Sequence, residues 1–327
     1  MGLVIEIGIY VILALTIHIL IYTLVTKKKP KDINGKHVVI TGGSSGIGLH
    51  MAIECARRGA SVTLLARRTN LLEKSVKLLE LNKKNENQKF QYKSLDLSGN
   101  YDVVEKCLQD AEENFGDIEM LINCAGFAVC GVFEEVSIED AKKLMDINYF
   151  GTYHCVRHVL PKMKQRRSGT IVITSSQAAL MGIYGYGPYS VAKFALRGLA
   201  ETIAMETKNF GITVTLAMPA DTNTPGFENE EKSKPKETKL ISGTGGLANP
   251  EDVAKCIIQD SLKGTFFSIY GIESWILTIL CCGMAPWGGL GLYLLQAVLM
   301  GPLRIISFFL HLHFQRIIKN CAKEKTN

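Results

Sequence analysis

Tyr189 and Lys193 lie four residues apart in the segment GPYSVAKFALRGLAE. On a helix this spacing places both side chains on one face, one turn apart. A phenol with a pKa of about 10 is a weak acid–base catalyst at neutral pH, and a neighbouring ammonium would lower that pKa by stabilising the tyrosinate. The pair could therefore act as a general acid, although an isolated Tyr-x-x-x-Lys also occurs on ordinary amphipathic helices.

A glycine-rich turn follows the first apolar strand of the chain. HVVIT runs into GGSSGIG and then into the helical pattern LHMAIECARRGA. Glycines let backbone N–H groups approach a pyrophosphate, and the N-terminus of the following helix stabilises its charge. The context predicts a dinucleotide site at Gly42, Ser44, Ser45, Gly46, Ile47 and Gly48.

The end of the second strand, LLARR, indicates which dinucleotide is bound. A site selective for NAD places Asp or Glu here to bind the ribose 2′-hydroxyl. This chain has Arg67 and Arg68 instead, and a guanidinium pairs well with a 2′-phosphate. NADPH is therefore the predicted cofactor. The alternative is that both arginines are solvated at the start of a helix.

Apolar runs alternate with helical patterns between residues 33 and 270. The runs are HVVIT, SVTLLA, FQYKSLDL, MLINCAG, GTIVITSS and ITVTLAMP. Strands that are apolar throughout and separated by helices indicate a parallel sheet covered on both faces. We predict an α/β fold with a Rossmann-type doubly wound parallel sheet for residues 33–270. The one long polar insertion, residues 226–249, is predicted to be a loop that acts as a substrate lid.

Composition excludes several classes of protein. The net charge of +6 is modest and no basic stripe is interleaved with aromatic residues, so we expect no nucleic-acid partner. The nine cysteines are odd in number and form no Cys-x-x-Cys pair. This argues against a disulfide framework and against a zinc site, so no metal is expected.

Both ends of the chain are apolar. Residues 1–26 carry one acid and no basic residue before TKKKPK, which predicts an N-terminal membrane anchor. Residues 271–315 form a second hydrophobic region, expected to enter the membrane as a hairpin of short spans or a re-entrant element. Residues 316–327 are predicted to be a basic cytosolic tail. Its KEKTN ending is similar to a lysine signal for retrieval to the endoplasmic reticulum, with a solvated tail as the alternative.

The order of motifs across residues 41–226 resembles the short-chain dehydrogenase/reductase family. The motifs are TGGSSGIG, LDL around Asp96, NCAG at 123–126, INYFG around Asn148, SSQ at 175–177, YSVAK at 189–193 and PADTNTPG from Pro219. Two positions depart from the family pattern. Cys124 stands where the family has a second Asn, and Ala220 stands where it has Gly after Pro219.

The resemblance implies a role for each matching residue. Tyr189 would be the general acid, Ser176 would bind the substrate oxygen with Ser175 as the weaker candidate, and Lys193 would also bind the nicotinamide ribose. Asn148 would hold a proton-relay water. The remaining cofactor contacts implied are Asp96 and Leu97 at the adenine, Asn123 and Gly126 along the cofactor, and Thr224 at the carboxamide.

Within that family, residues 175–201 and 221–242 are similar to reductases of long-chain sphingoid ketones. This similarity implies a ketone substrate drawn from the lipid bilayer, reduced by NADPH on the cytosolic face of the endoplasmic reticulum membrane. The family also implies a homo-oligomer. The alternatives are a membrane-bound reductase of retinoids, steroids or acyl-chain ketones, and a non-catalytic nucleotide-binding scaffold. The intact set Asn148, Ser176, Tyr189 and Lys193 argues against the scaffold.

Overall fold

A seven-stranded parallel sheet forms the centre of the protein in a computed structural model that describes residues 29–285 and 289–326. The strands are β1 (His37–Thr41), β2 (Ser61–Ala66), β3 (Phe90–Ser94), β4 (Ile118–Asn123), β5 (Gly169–Thr174), β6 (Ile212–Ala217) and β7 (Phe267–Ser268). Their order is β3-β2-β1-β4-β5-β6-β7, so the winding direction reverses between β1 and β4. The predicted doubly wound sheet is confirmed. The predicted anchor at residues 1–26 lies outside the described residues.

Helices cover both faces of the sheet and extend beyond it. They are α1 (Gly46–Arg57), α2 (Thr69–Leu81), α3 (Tyr101–Phe115), α4 (Ile138–Met145), α5 (Gly151–Arg166), α6 (Gly187–Thr207), α7 (Pro225–Glu231), α8 (Lys236–Ser242), α9 (Pro250–Lys263), α10 (Ile272–Leu280) and α11 (Leu290–Thr326). Apolar side chains of α3, α5 and α6 pack on one face of the sheet, and those of α1, α2 and α9 pack on the other.

Strand β1 shows why these apolar runs form a central sheet. All five of its residues are buried. Side chains alternate across a strand, so Val39 enters the core formed with α3, α5 and α6 while Val38 and Ile40 enter the opposite core. A strand buried on both faces carries a continuous apolar run, here residues 38–40, which explains the absence of polar alternation in the sequence.

The polar insertion at residues 226–249 differs from the predicted loop. It contains most of α7, all of α8 and a 3-10 turn at Gly243–Gly245. Thr224 caps α7 by accepting a hydrogen bond from Phe227 N at 3.1 Å, and Pro225 occupies the first turn. The buried Thr238 of α8 donates to the carbonyl oxygen of Tyr184 at 2.8 Å. The lid role of this segment stays a prediction.

The C-terminal region also differs from the predicted pair of short spans. Helix α10 has nine residues, about 14 Å of length, which is too short for a bilayer core. It packs on the catalytic domain through the buried Ser274, Thr278 and Ile279. Arg197 of α6 fixes the residues after it by donating to the carbonyl oxygens of Cys281 and Cys282 at 2.8 and 2.9 Å.

Helix α11 is one continuous helix of 37 residues. Among the described residues, residues 290–325 are the single helix that is long and apolar enough to cross a membrane, with a mean hydropathy of 1.6 in its most apolar window. The basic residues predicted as a cytosolic tail belong to this helix. Lys325 is engaged there, since its Nζ donates to Glu237 of α8 at 2.7 Å.

Candidate functional site

The glycine turn lies in the crevice where the winding direction of the sheet reverses, next to the carboxyl ends of β1 and β4. Gly42 has a φ of +68°, and a Cβ atom added to it would lie 2.8 Å from the backbone of Ala125. A Cβ atom on Gly48 would lie 2.4 Å from the carbonyl oxygen of Gly42. Both positions therefore require glycine, because the backbone itself fills the space that a side chain would need.

The same cavity contains the other residues that the turn motif predicted. Ser44, Ser45, Gly46 and Ile47 line it with Gly42 and Gly48. Thr224 also lines it, and its side chain lies 3.1 Å from where a Cβ of Gly46 would be. The glycine cradle, open at its helix N-terminus, fits the pyrophosphate of a dinucleotide.

Arg67 and Arg68 line the cavity at the end of β2. The guanidinium of Arg68 donates to Ser45 Oγ at 3.4 Å, so it reaches the glycine turn from the neighbouring strand. Asp96 and Leu97 line the cavity beyond β3. Hydrogen bonds from Ser98, supported by the charge of Arg67, lower the pKa of Asp96 and keep it an acceptor. The structure thus brings the predicted adenine and 2′-phosphate residues together.

Asn148 lies on a π-helical turn, Asp146–Phe150, that joins α4 to α5. Such turns often occur at functional sites because they redirect side chains out of the helical ladder. The Asn148 amide is fully buried, accepts from Phe127 N at 3.1 Å and donates to Phe127 O at 3.0 Å. These bonds fix the loop after β4, including Gly126, where an added Cβ would lie 2.4 Å from Asn148 Oδ1. The relay role of Asn148 stays a prediction.

Asn123, the other residue expected along the cofactor, ends β4 and is buried. Its Nδ2 donates to the carbonyl oxygen of Val172 at 3.3 Å, which ties β4 to β5 below the crevice. Within the described part of the chain, its Oδ1 has no hydrogen-bond partner. Asn123 does not line the cavity, whereas its neighbours Cys124 and Ala125 do.

The two serines after β5 have different environments. Ser175 is buried, and its hydroxyl donates to the carbonyl oxygen of Lys193 at 3.0 Å. Ser176 lines the cavity and its side chain is hydrogen-bonded to Tyr189. Its Oγ also accepts from Ala178 N at 3.2 Å, which holds it at the start of a short 3-10 turn. The geometry therefore favours Ser176 for contact with a substrate oxygen.

Tyr189 and Lys193 lie on α6 with both side chains in the cavity. The Lys193 ammonium lies 5.6 Å from the centroid of the Tyr189 ring and donates to the carbonyl oxygen of Thr174 at 3.1 Å. Burial, with the charge of Glu230, raises the pKa of Tyr189, and the hydrogen bond from Ser176 opposes it. The lowered tyrosine pKa expected from the sequence is not found here, because burial outweighs the hydrogen bond from Ser176. Burial also lowers the pKa of Lys193 to about 8.

An ionic cluster that no sequence motif predicted lies beside these residues. Lys234 has a fully buried side chain and pairs with Asp221, Glu230 and Glu231 at 3.3, 3.0 and 2.7 Å. Tyr186 donates its hydroxyl proton to Glu230. The spacing of Glu230 and Glu231 from Lys234 was a usable signal, but such pairs usually lie on a solvated helix face.

An apolar wall closes the other side of the cavity, whose volume is about 750 Å³. Its residues come from α10 and α11, and they are Ile276, Leu277, Leu280, Leu303, Ile306, Leu310 and Phe314. A cavity with a few polar groups at one end and an apolar wall at the other is typical of a site for an amphipathic small molecule.

The fold and the site define a dinucleotide-dependent oxidoreductase, with a glycine cradle at the sheet crevice and a Tyr–Ser–Lys group beside it. Residues 36–235 match the family model described as short chain dehydrogenase. The chain belongs to the short-chain dehydrogenase family.

Curated relatives span most of the chain. It is 45% identical over 297 residues to the 3-dehydrosphinganine reductase of Danio rerio, covering 91% of this chain and 90% of the relative. It is 44% identical to the 3-ketodihydrosphingosine reductase of Bos taurus with the same coverage. Among solved structures, an alcohol dehydrogenase from the archaeon Thermococcus sibiricus, complexed with 5-hydroxy-NADP, is 28% identical with a TM-score of 0.58. That match covers 68% of this chain and 88% of the other.

Proposed function

We propose that the protein reduces 3-ketosphinganine to sphinganine with NADPH. The observation that carries the proposal is the cavity itself, in which Tyr189 and Ser176 share one space with the apolar wall of α10 and α11. A long-chain ketone needs both features, an acid at its carbonyl group and an apolar surface for its chain. The relatives named as 3-dehydrosphinganine and 3-ketodihydrosphingosine reductases support the same substrate.

NADPH is the proposed cofactor, and when bound it supplies the hydride that reaches the ketone carbon. The glycine turn would hold its pyrophosphate, and Arg67 and Arg68 would pair with its 2′-phosphate. Both guanidinium groups lie at the end of β2, where an enzyme selective for NAD would have a carboxylate. A carboxylate there would repel the 2′-phosphate, so the two arginines favour NADPH over NADH.

Tyr189 is the proposed proton donor. Ser176 would donate a hydrogen bond to the carbonyl oxygen and orient it, while Tyr189 gives its phenolic proton to that oxygen as negative charge develops there. The carbonyl group thereby becomes an alcohol, and the tyrosinate left behind is stabilised by Lys193. The raised pKa of Tyr189 supports this direction, because it keeps the phenol protonated in the resting enzyme.

The proposed location is the endoplasmic reticulum membrane, with the catalytic domain facing the cytosol. Helix α11 supports membrane contact, since it presents large exposed apolar side chains on the face away from the cavity. Examples are Val298, Ile305 and Phe309, which are 72%, 66% and 63% exposed. Such a surface is costly in water and stable in lipid. A homo-oligomer is part of the proposal on family grounds.

An assay of the detergent-solubilised full chain tests the function. We expect NADPH oxidation with 3-ketosphinganine, a much lower rate with retinal or a steroid ketone, and a lower rate when NADH replaces NADPH. A Lys193→Met variant, which loses the ammonium but keeps the packing, is the matched inactive control. Equal turnover of all three ketones, or turnover of a steroid ketone alone, would contradict the proposed substrate.

A further inference from the structure

The ionic cluster around Lys234 carries more negative than positive charge. Three carboxylates surround one ammonium, those of Asp221, Glu230 and Glu231, which leaves two negative charges in excess. Lys234 remains an ammonium, because the neighbouring carboxylates raise its pKa despite the opposing effect of burial. An excess of negative charge on half-buried carboxylates is costly unless another cation approaches it.

Two of the three carboxylates face the catalytic cavity. Asp221 and Glu230 line the same cavity as Tyr189, whereas Glu231 does not line it. Glu230 is 15% exposed in its side chain, so its contact with the cavity is close and poorly hydrated. The excess charge is therefore directed at the space where a substrate would lie.

Glu230 is also fixed in position. Its Oε1 accepts from Tyr186 and pairs with Lys234 at 3.0 Å, while no contact within the described residues uses its Oε2. The Tyr186 ring lies 5.3 Å from the ring of Tyr189, centroid to centroid, which places this carboxylate beside the proton donor. A carboxylate held on one oxygen is preorganised to accept a hydrogen bond on the other.

We infer that Glu230 binds the amino group of the substrate and selects α-amino ketones over ketones that lack the amine. The inference rests on the proposed function. In 3-ketosphinganine the amine is on the carbon next to the carbonyl carbon, so a ketone oxygen at Tyr189 and Ser176 brings the ammonium to the adjacent wall. Asp221 adds to the negative potential there, and the chain extends to the apolar wall of α10 and α11.

Two variants of the same cluster test the inference. Glu230→Gln removes the carboxylate that faces the cavity, and Glu231→Gln removes one that pairs with the same lysine outside the cavity. Each is assayed in the full chain with 3-ketosphinganine and with 1-hydroxyoctadecan-3-one, which has the same chain without the amine. The second ketone reports whether Tyr189 and the fold remain intact.

We expect Glu230→Gln to lower the ratio of kcat/KM for the amino ketone to kcat/KM for the desamino ketone by about tenfold or more, the loss expected for one charged hydrogen bond. Glu231→Gln should leave the ratio of the two kcat/KM values unchanged. The inference is overturned if Glu230→Gln lowers kcat/KM equally for both substrates. The carboxylate would then only stabilise the segment of residues 226–249. The inference is also overturned if Glu231→Gln changes the ratio as much.

Binding of sphinganine separates this inference from the proposed function. Wild-type turnover of 3-ketosphinganine tests the function alone. If wild type reduces neither ketone, equilibrium binding of sphinganine in detergent micelles, compared with octadecane-1,3-diol, still tests the amine site. Weaker binding of sphinganine alone by Glu230→Gln supports the site, and unchanged binding of both ligands refutes it.

Discussion

At the residue scale, burial sets the protonation of the two central groups. Burial and the nearby charge of Glu230 raise the pKa of Tyr189, so the phenol keeps the proton that the proposed reduction would consume. Lys193 is fully enclosed, and burial brings its pKa down to about 8. The sequence suggested that the lysine would lower the pKa of the tyrosine. In the structure, burial is the largest influence on the pKa of each residue.

Replacing Tyr189 with Phe removes the proton donor and keeps the ring. We expect kcat to fall by about 100-fold or more, since general acid catalysis contributes at least that much, and NADPH affinity to stay within about twofold. Steady-state kinetics and cofactor titration measure the two effects. Tyr92→Phe is the control, because Tyr92 bonds to Glu73 on the far edge of the sheet. Retention of more than about a tenth of wild-type kcat would rule out the assigned role.

The pH profile should follow Lys193. Its ammonium form, needed to bind the cofactor and stabilise a tyrosinate, prevails below its pKa of about 8 and is lost above it. We expect kcat/KM for NADPH, which reports groups of the free enzyme, to fall as pH rises through about 8. Lys193→Arg should move that decline to higher pH, because a guanidinium stays charged. Profiles that are flat to pH 10, or the same in both proteins, would contradict the assignment.

At the element scale, local signals predicted the sheet and the glycine turn. Strands β1 and β5 each have a run of three buried apolar residues, and the steric need for Gly42 and Gly48 arises from neighbouring backbone. The helices of the polar insertion could not be predicted in this way. Residues of this segment are held by partners that lie before it in the chain, for example Asp221 for Lys234 and Tyr184 for Thr238.

The C-terminal apolar region shows a second limit of sequence patterns. Hydropathy identifies a long apolar helix but does not separate the face that contacts lipid from the face that contacts substrate. In α11 two adjacent residues lie on different faces of the helix. Ile306 lines the cavity, whereas Ile305 does not line it and is exposed. The short α10 has an apolar sequence because it packs against the core of the α/β domain.

This division within α11 gives a matched pair of substitutions. Ile306→Trp adds bulk to the cavity wall, so we expect kcat/KM for a ketone with an 18-carbon chain to fall by about tenfold, and that for a 10-carbon chain to change less. Ile305→Trp makes the same change on the outer face and should alter neither. Kinetics with both chain lengths measure the effect. If the two variants show the same kcat/KM for each ketone, α11 does not contact the alkyl chain of the substrate.

At the scale of the whole molecule, one cavity joins two environments. The glycine turn and the two arginines line a polar end, and the residues of α10 and α11 line an apolar wall. Two ion pairs, Lys236 with Glu324 and Glu237 with Lys325, connect α8 to the end of α11. Helix α8 and the helix that carries most of the apolar wall are therefore linked to each other.

These ion pairs bear on the path of the chain relative to a membrane. Because the end of α11 is held against α8, we expect the C-terminus to lie on the same side of the membrane as the catalytic domain. The lysines after residue 26, in KKKPK, favour the cytosolic side for that domain. Helix α11 would then lie along the membrane surface, with its exposed apolar face in lipid and its inner face on the cavity.

Protease protection of sealed microsomes tests this arrangement. Protease added without detergent should destroy both the catalytic domain and an epitope placed after Asn327, while a luminal marker protein survives. If the epitope alone is protected until detergent is added, α11 crosses the bilayer and the ion pairs with α8 do not form in the membrane. If the catalytic domain is protected as well, the domain faces the lumen. A ketone could still enter from lipid in that case, but the lysines would not have set the orientation.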